Sequence, residues 1–267
     1  MIIGISGRIG AGKDVVGNMI QYLTWLGPAP SDDMPCWEEW QEMVDPKSSG
    51  WEIKKYAYKL KQIVSILTGA TMEQLESQEF KSKEMSPEWW YWKLSWTRSD
   101  DGPGFTTFRN REDAISFIEM NYEDSVEDVL DSKSNKLEFI KPTYRRFLQE
   151  MGTDIIRDRV HRDAWVNALF SDYHDADYRG ITAGEYSDPV APKWIITDVR
   201  FPNELEAIRE RGGIILRINR ESSSSEKLHI SETLLDNHHF DYVIDNDDTI
   251  EELLDKVYSF LSRHKLL

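Results

Sequence analysis

Met1-Ile2-Ile3-Gly4-Ile5-Ser6-Gly7-Arg8-Ile9-Gly10-Ala11-Gly12-Lys13-Asp14 joins an apolar run to a glycine-rich loop. Its first six residues are a short apolar run of the kind that makes a buried strand. Residues 7–13 then follow the spacing G-x-x-x-x-G-K of a phosphate-binding loop. Phosphate oxygens must be met by several backbone N–H groups pointing into one concavity, and Gly7, Gly10 and Gly12 allow the tight turn and close approach this requires. Arg8 and Ala11 complete the loop that is predicted to line a polyphosphate. Lys13 can reach the β and γ oxygens as a flexible point charge, and a helix starting beside it adds the positive end of its dipole. Val15, Val16, Met19, Ile20 and Leu23 recur at helical spacing, so strand, loop and helix stand in the required order.

Asp14 stands where Ser or Thr usually offers a hydroxyl to Mg2+. Two readings stay open: the carboxylate serves the metal, directly or through water, or it is a first-turn acid that favours the helix dipole.

Across the chain, 48 acidic residues against 32 basic ones give a net charge of -16. Such a field repels nucleic acid, so a small-molecule substrate is expected and a polynucleotide substrate is disfavoured. The 267 residues suffice for a sizeable core, and the single Cys36 excludes an intramolecular disulfide and suits a reducing compartment. No basic-then-apolar leader opens the sequence, and no apolar stretch reaches the ~18 residues needed to span a bilayer. A cytosolic enzyme without membrane or nucleic-acid partners is the expectation, with a homodimer left open.

Residues 27–50 read as an acidic excursion with a short helix at 37–43. A strand is expected at 53–58 and a helix at 59–67, closed by Gly69. Lys59 and Lys61 lie near the start of that helix, where they oppose its dipole. Residues 71–136, dense in aromatics around Trp89, Trp90 and Trp92, read as an insertion whose tryptophans serve packing. Residues 142–170 suggest a helix, a break at Gly152 and another helix. Around their buried stripe cluster Arg145, Arg146, Arg157, Arg159 and Arg162, of which one or two are expected to grip a phosphate.

Trp194-Ile195-Ile196-Thr197-Asp198 is an apolar strand ending in a carboxylate. At the carboxyl end of a parallel strand beside the loop, Asp198 could hold Mg2+ or its water, and Arg200 follows two residues later. A helix from Pro202 and a strand at 214–218 come next. A serine-rich segment at 219–227 flanked by Arg217 and Arg220 reads either as a lid over the phosphates or as a plain loop. Ser231 can cap a short helix, 241–245 is an edge strand, and a last amphipathic helix begins at Thr249. His238 and His239 are adjacent rather than four apart, which argues against a zinc site.

Five stretches in this order together resemble the deoxynucleoside monophosphate kinases of bacteriophages, a branch of the P-loop kinases. They are residues 7–14, Ala57-Tyr58-Lys59-Leu60-Lys61, Leu148-Gln149-Glu150-Met151-Gly152-Thr153-Asp154 through Arg157 to Asp163-Ala164-Trp165, Ile196-Thr197-Asp198-Val199-Arg200-Phe201-Pro202-Asn203-Glu204, and His229-Ile230-Ser231-Glu232. The resemblance implies an α/β, P-loop NTPase-type three-layer fold with a central, mainly parallel sheet, plus a mostly helical insertion. It implies one P-loop kinase domain over residues 1–267, with insertions near 27–50 and, on the acceptor side, 71–136, and a lid near 219–230. ATP would be the donor, Mg2+ its companion and a deoxynucleoside 5'-monophosphate the acceptor, in the host cytoplasm if the protein is phage-encoded.

Carried onto this chain, Gln149, Arg157, Asp163 and Trp165 look like acceptor-site residues, with Lys61 a further candidate. Asp14 looks like a working residue near metal or acceptor. Lys13, Asp14, Arg157 and Arg200 would be catalytic, Arg217 and Arg220 would join the loop around ATP, and Asp14 and Asp198 would serve the metal. A related kinase acting on a coenzyme precursor and a nucleotide-binding regulator without catalysis are the competing readings. Lys13→Ala is expected to abolish phosphate transfer while leaving the fold intact, and near-normal turnover in a transfer assay would overturn the assignment.

Overall fold

Strand β1 (Ile2–Gly7) is buried at all six positions, as befits a strand hydrogen-bonded on both edges and covered on both faces. The computed structural model describes residues 1–28, 31, 33–98, 102–174, 191–220 and 234–267. After β1 come α1 (Lys13–Leu26), α2 (Trp37–Met43), β2 (Trp51–Lys54), α3 (Ala57–Thr68), α4 (Met72–Glu76) and α5 (Gln78–Lys81). Then follow β3 (Tyr91–Arg98), β4 (Gly102–Phe108), α6 (Arg111–Asn121), α7 (Val126–Asp131), β5 (Asn135–Ile140) and α8 (Tyr144–Gln149). A π-helical segment (Glu150–Val160) leads to α9 (Ala164–Phe170), β6 (Lys193–Val199), α10 (Pro202–Glu210), β7 (Ile214–Asn219), β8 (Tyr242–Asp245) and α11 (Ile250–Arg263). These residues form two units, 1–60 with 156–267 and 61–155.

The first unit is built on a five-stranded sheet of order β2-β6-β1-β7-β8, parallel throughout. Alternation along the strands divides the core. Ile3, Ile5, Ile195, Leu216 and Ile218 point to one face, where Val16, Met19 and Ile20 of α1 and Leu253, Val257 and Phe260 of α11 cover them. Ile2, Ile196 and Ile215 point to the other, under Val166 and Leu169 of α9 and Leu205 and Ile208 of α10. This is the three-layer, P-loop NTPase-like architecture that the resemblance implies. Close approach of α1 to the sheet depends on Gly17, where a Cβ would stand 2.8 Å from Cγ2 of Thr197.

The acidic excursion folds where its pattern predicts. Trp37 and Trp40 of α2 are buried, each with its ring 5.6 Å from Tyr22 of α1, while Glu38, Glu39 and Glu42 face solvent. The strand expected at 53–58 stops at Lys54, and α3 begins at Ala57. Its first amides are taken by a carboxylate from another strand, a stop signal that no local pattern contains.

The second unit holds an antiparallel sheet of order β4-β3-β5 besides its helices. Its apolar side chains alternate with the period of a strand: Leu94 and Trp96 of β3, with Phe108 and Leu137, pack with Ile118 of α6 and Val129 of α7. The break expected at Gly152 is not there: α8 runs directly into the π-helical segment, which contains Gly152, and the helical path is interrupted only at residues 161–163, before α9. The strand and final helix expected near the end of the chain are β8 and α11, the latter capped by Thr249 Oγ1 accepting from the Glu252 amide. Most of the expected lid, residues 221–230, and Ser231 lie outside the described residues. Phe260 is fully buried between α11 and the sheet, 5.4 Å from the ring of Tyr242. Phe260→Ala is expected to cost about 3–5 kcal/mol of stability, read from urea denaturation.

Candidate active site

The loop between β1 and α1 turns through positive φ at Gly10 (+77°) and Gly12 (+92°), a region that L side chains rarely enter. At Gly12 a Cβ would also stand 2.7 Å from Nδ2 of Asn246. Asn246, just beyond β8, donates from Nδ2 to the Ala11 carbonyl at 2.9 Å and from its amide to the Asn219 carbonyl at 2.8 Å. The loop is thereby tied to the ends of β7 and β8. Lys13 Nζ donates to the carbonyls of Gly7 and Arg8, both at 2.7 Å, which folds the ammonium back over the loop.

Asp14, in the first turn of α1, is held from two sides. The Thr197 hydroxyl donates to Oδ1 at 2.6 Å and Lys55 Nζ donates to Oδ2 at 3.0 Å. Burial works against the charge of Asp14, but the Thr197 hydrogen bond and the Lys55 and Lys13 ammonium groups outweigh it and hold the carboxyl below its ordinary range. The position that usually carries a hydroxyl thus carries an ionised carboxylate, with the hydroxyl supplied by β6.

Asp198 is placed at the carboxyl end of β6 as expected, and both of its oxygens are engaged. Oδ1 accepts from the Tyr56 amide at 2.8 Å and Oδ2 from the Ala57 amide at 2.9 Å, so this carboxylate closes the amino end of α3. Burial raises its pKa, against the pull of those two amides and of Arg200 and Lys55.

Of the arginines expected around ATP, Arg217 is buried on β7. It donates to Ser6 Oγ at 3.1 Å and to Asp236 at 2.5 Å, with Phe240 5.3 Å away. Arg8 reaches the same Asp236 at 2.8 Å. Arg220 Nη1 lies 3.4 Å from the Gly10 carbonyl. Arg8, Arg217, Asn219, Arg220, Asp236 and Phe240 line part of a cavity of about 780 Å3 beside the loop.

A second constellation gathers at the start of α10. Arg157 is 9% exposed and stacks on Phe201, its guanidinium carbon 3.6 Å from the ring centre. Its Nη2 donates to Oδ1 of Asn203 at 2.9 Å, and Asn203 Nδ2 donates to Oδ1 of Asp163 at 2.8 Å. Glu204 accepts from the amides of Arg200 at 2.8 Å and Phe201 at 3.0 Å. Tyr56 donates its hydroxyl to the Glu204 carbonyl at 3.0 Å. Trp165 is half-buried against the same core face. Arg157 and Asp163 are therefore brought together, through Asn203. Lys61 and Gln149 belong to the second unit, where Lys61 pairs with Glu76 at 2.6 Å.

Reasoning from the sequence did not single out Lys55, Thr197, Asn203, Glu204, Asp236 or Asn246 as site residues. For Lys55 and Asn246 a signal existed: each is a polar residue just past a strand that pairs parallel in the sheet, the rim where ligands of such folds bind. Thr197, in mid-strand, carried none. Among the described residues no group of three or more His, Cys, Asp or Glu side chains could hold a metal by itself, and no helix is long and apolar enough to cross a membrane.

Comparison with known proteins follows the same lines. The family model for deoxynucleotide monophosphate kinase matches residues 104–257. The chain is 28% identical over 150 residues to the deoxynucleotide monophosphate kinase of Enterobacteria phage T4, covering 56% of this chain and 55% of that one. It is 32% identical over 117 residues to that of Escherichia phage RB69, covering 44% of each. It is 25% identical over 213 residues to the deoxynucleoside-5'-monophosphate kinase of Escherichia phage T5, covering 79% of this chain and 72% of that one. The chain spans about half the length of the T4 and RB69 relatives it matches.

Burial, with Asp198 beside it, pushes the pKa of Glu204 from the ordinary 4.5 up to about 8. Between those values the folded protein keeps a proton that the unfolded chain has released, so stability should fall as pH rises through that window. Glu204→Gln keeps an oxygen for both amides and should flatten this slope; denaturant titrations between pH 4.5 and 9 that show the same slope in both proteins would count against it.

Proposed function

The chain belongs to the deoxynucleotide monophosphate kinase family, and from that premise we propose that it transfers the γ-phosphate of ATP to a deoxynucleoside 5'-monophosphate, giving ADP and a deoxynucleoside diphosphate. The observation that carries the reading is the glycine loop with Lys13 folded over it and Asp14 kept ionised at its side. Phosphoryl transfer asks for alignment and charge compensation more than for covalent catalysis. Loop amides would cradle the donor phosphates, and Lys13 would exchange its two carbonyl partners for the β and γ oxygens. Arg157, pre-stacked on Phe201, would receive the acceptor phosphate, with Asp163 and Trp165 on the same unit; on the second unit, Gln149 and Lys61 are the proposed acceptor residues. Arg200 would balance charge as the γ-phosphate moves. Arg8, Arg217 and Arg220 would surround the donor through the cavity they line.

Mg2+ fits the donor set at Asp14, because a carboxylate is the hard oxygen donor it takes and it needs only one or two protein ligands when phosphates supply the rest, while the buried Thr197 hydroxyl would orient that carboxylate. When bound it would neutralise charge on the β and γ phosphates. Asp198, whose oxygens hold α3, would act on the metal at most through water. The host cytoplasm is the proposed setting.

Labelled ATP offered with each of the four deoxynucleoside monophosphates should yield labelled diphosphate with at least one of them. Transfer only to a non-nucleotide acceptor would favour a coenzyme-precursor kinase, and ATP binding without any transfer would favour a regulator.

A further inference from the structure

With Arg157 assigned to the acceptor phosphate, we propose that Asn203 is the positioning residue that aims it, holding the Arg157 guanidinium apart from Asp163 with one side-chain amide. The inference rests on that reading of the acceptor site.

The geometry is that of an adaptor between opposite charges. Asn203 is the second residue of α10, after Pro202, and the Glu204 carboxylate fixes the backbone there by accepting from the Arg200 and Phe201 amides. From this anchored turn, Asn203 Oδ1 accepts from Arg157 at 2.9 Å while Nδ2 donates to Asp163 at 2.8 Å and to the Arg162 carbonyl at 3.3 Å. The orientation of the amide is dictated by its neighbours, since the reverse would set NH2 against a guanidinium and oxygen against a carboxylate.

No other side chain of this length serves both neighbours without adding charge. An aspartate would pair with Arg157 and repel Asp163, and a small apolar residue would leave the guanidinium and the carboxylate to find each other. A direct Arg157–Asp163 pair would engage the donors that a phosphate needs. With Phe201 against one face of the guanidinium and Asn203 on one Nη2 hydrogen, the remaining N–H groups present a defined edge. Asn203 need not touch substrate; it acts through Arg157 and Asp163.

Steady-state kinetics on Asn203→Ala and the isosteric Asn203→Asp, varying each substrate at saturating levels of the other, test this. The KM for the acceptor should rise about tenfold in Asn203→Ala and further in Asn203→Asp, while the KM for ATP stays unchanged. In an Arg157→Ala background, Asn203→Ala should add no further loss. An unchanged acceptor KM in either variant, an equal rise for both substrates, or additive losses in the double variant would overturn the inference. Thermal melting identifies a variant that has lost its fold, and Asn203→Asp, which keeps the shape, then decides the question. Wild-type protein that phosphorylates no deoxynucleoside monophosphate would remove the functional reading itself and the inference with it, whereas active wild type with unaltered variants would remove the inference alone.

Discussion

Parallel pairing of β1 between β6 and β7 is the constraint on which the first unit depends. It sets Gly7 opposite Ile218 and Ser6 opposite Val199 and Arg217, so three strands end at one rim. Each then delivers its own chemistry there: the glycine loop, Lys13 and Asp14 follow β1, Thr197 and Asp198 lie in the second half of β6, and Arg217 and Asn219 lie at the end of β7. A one-residue slip of β6 would turn Thr197 away from Asp14 and point Ile196 toward the helix layer that Ile195 now faces. The apolar core and the polar rim are therefore specified by the same register.

Putting that much charge at the edge of a core is costly unless each group finds a partner. The solutions differ. Asp14 is met by a hydroxyl and an ammonium and stays ionised, Asp198 is met by two backbone amides, and Glu204 is met by two more. Amides that would otherwise be orphaned at the starts of α3 and α10 are satisfied by the carboxyl groups of Asp198 and Glu204, of which Glu204 keeps its proton into the neutral range. The buried acids hold the site's scaffold, while the partly exposed acid of α1 lies beside the phosphate loop.

Much of this was legible in the chain. A strand, a glycine loop and an amphipathic helix in immediate succession specify a local unit, and the apolar runs at 194–198 and 214–218 continue its sheet. The short helix at 37–43 was legible inside the acidic excursion, and the structure shows Trp37 and Trp40, three residues apart, sharing its buried face. Asp198 was recognisable as an acid at the rim, but its partners are amides some 140 residues earlier in the chain, which no local pattern reveals. The same limit hid Thr197 and Asn203, whose significance lies in hydrogen bonds reaching Asp14 and Arg157. In the second unit the density of aromatics between turn signals disguised a period-two pattern, so an antiparallel sheet went unforeseen.

Thr197 touches α1 twice: its hydroxyl binds Asp14, and its methyl lies where a side chain at position 17 would begin. One β-branched residue therefore acts as a gauge for the gap between helix and sheet, and at the same time as the latch on a carboxylate beside the phosphate loop. Thickening α1 at position 17 would rotate that latch as it widened the gap. Evolution of this layer's packing is consequently not independent of the loop beside it, because drift in helix spacing would move the Asp14 carboxylate that Thr197 holds.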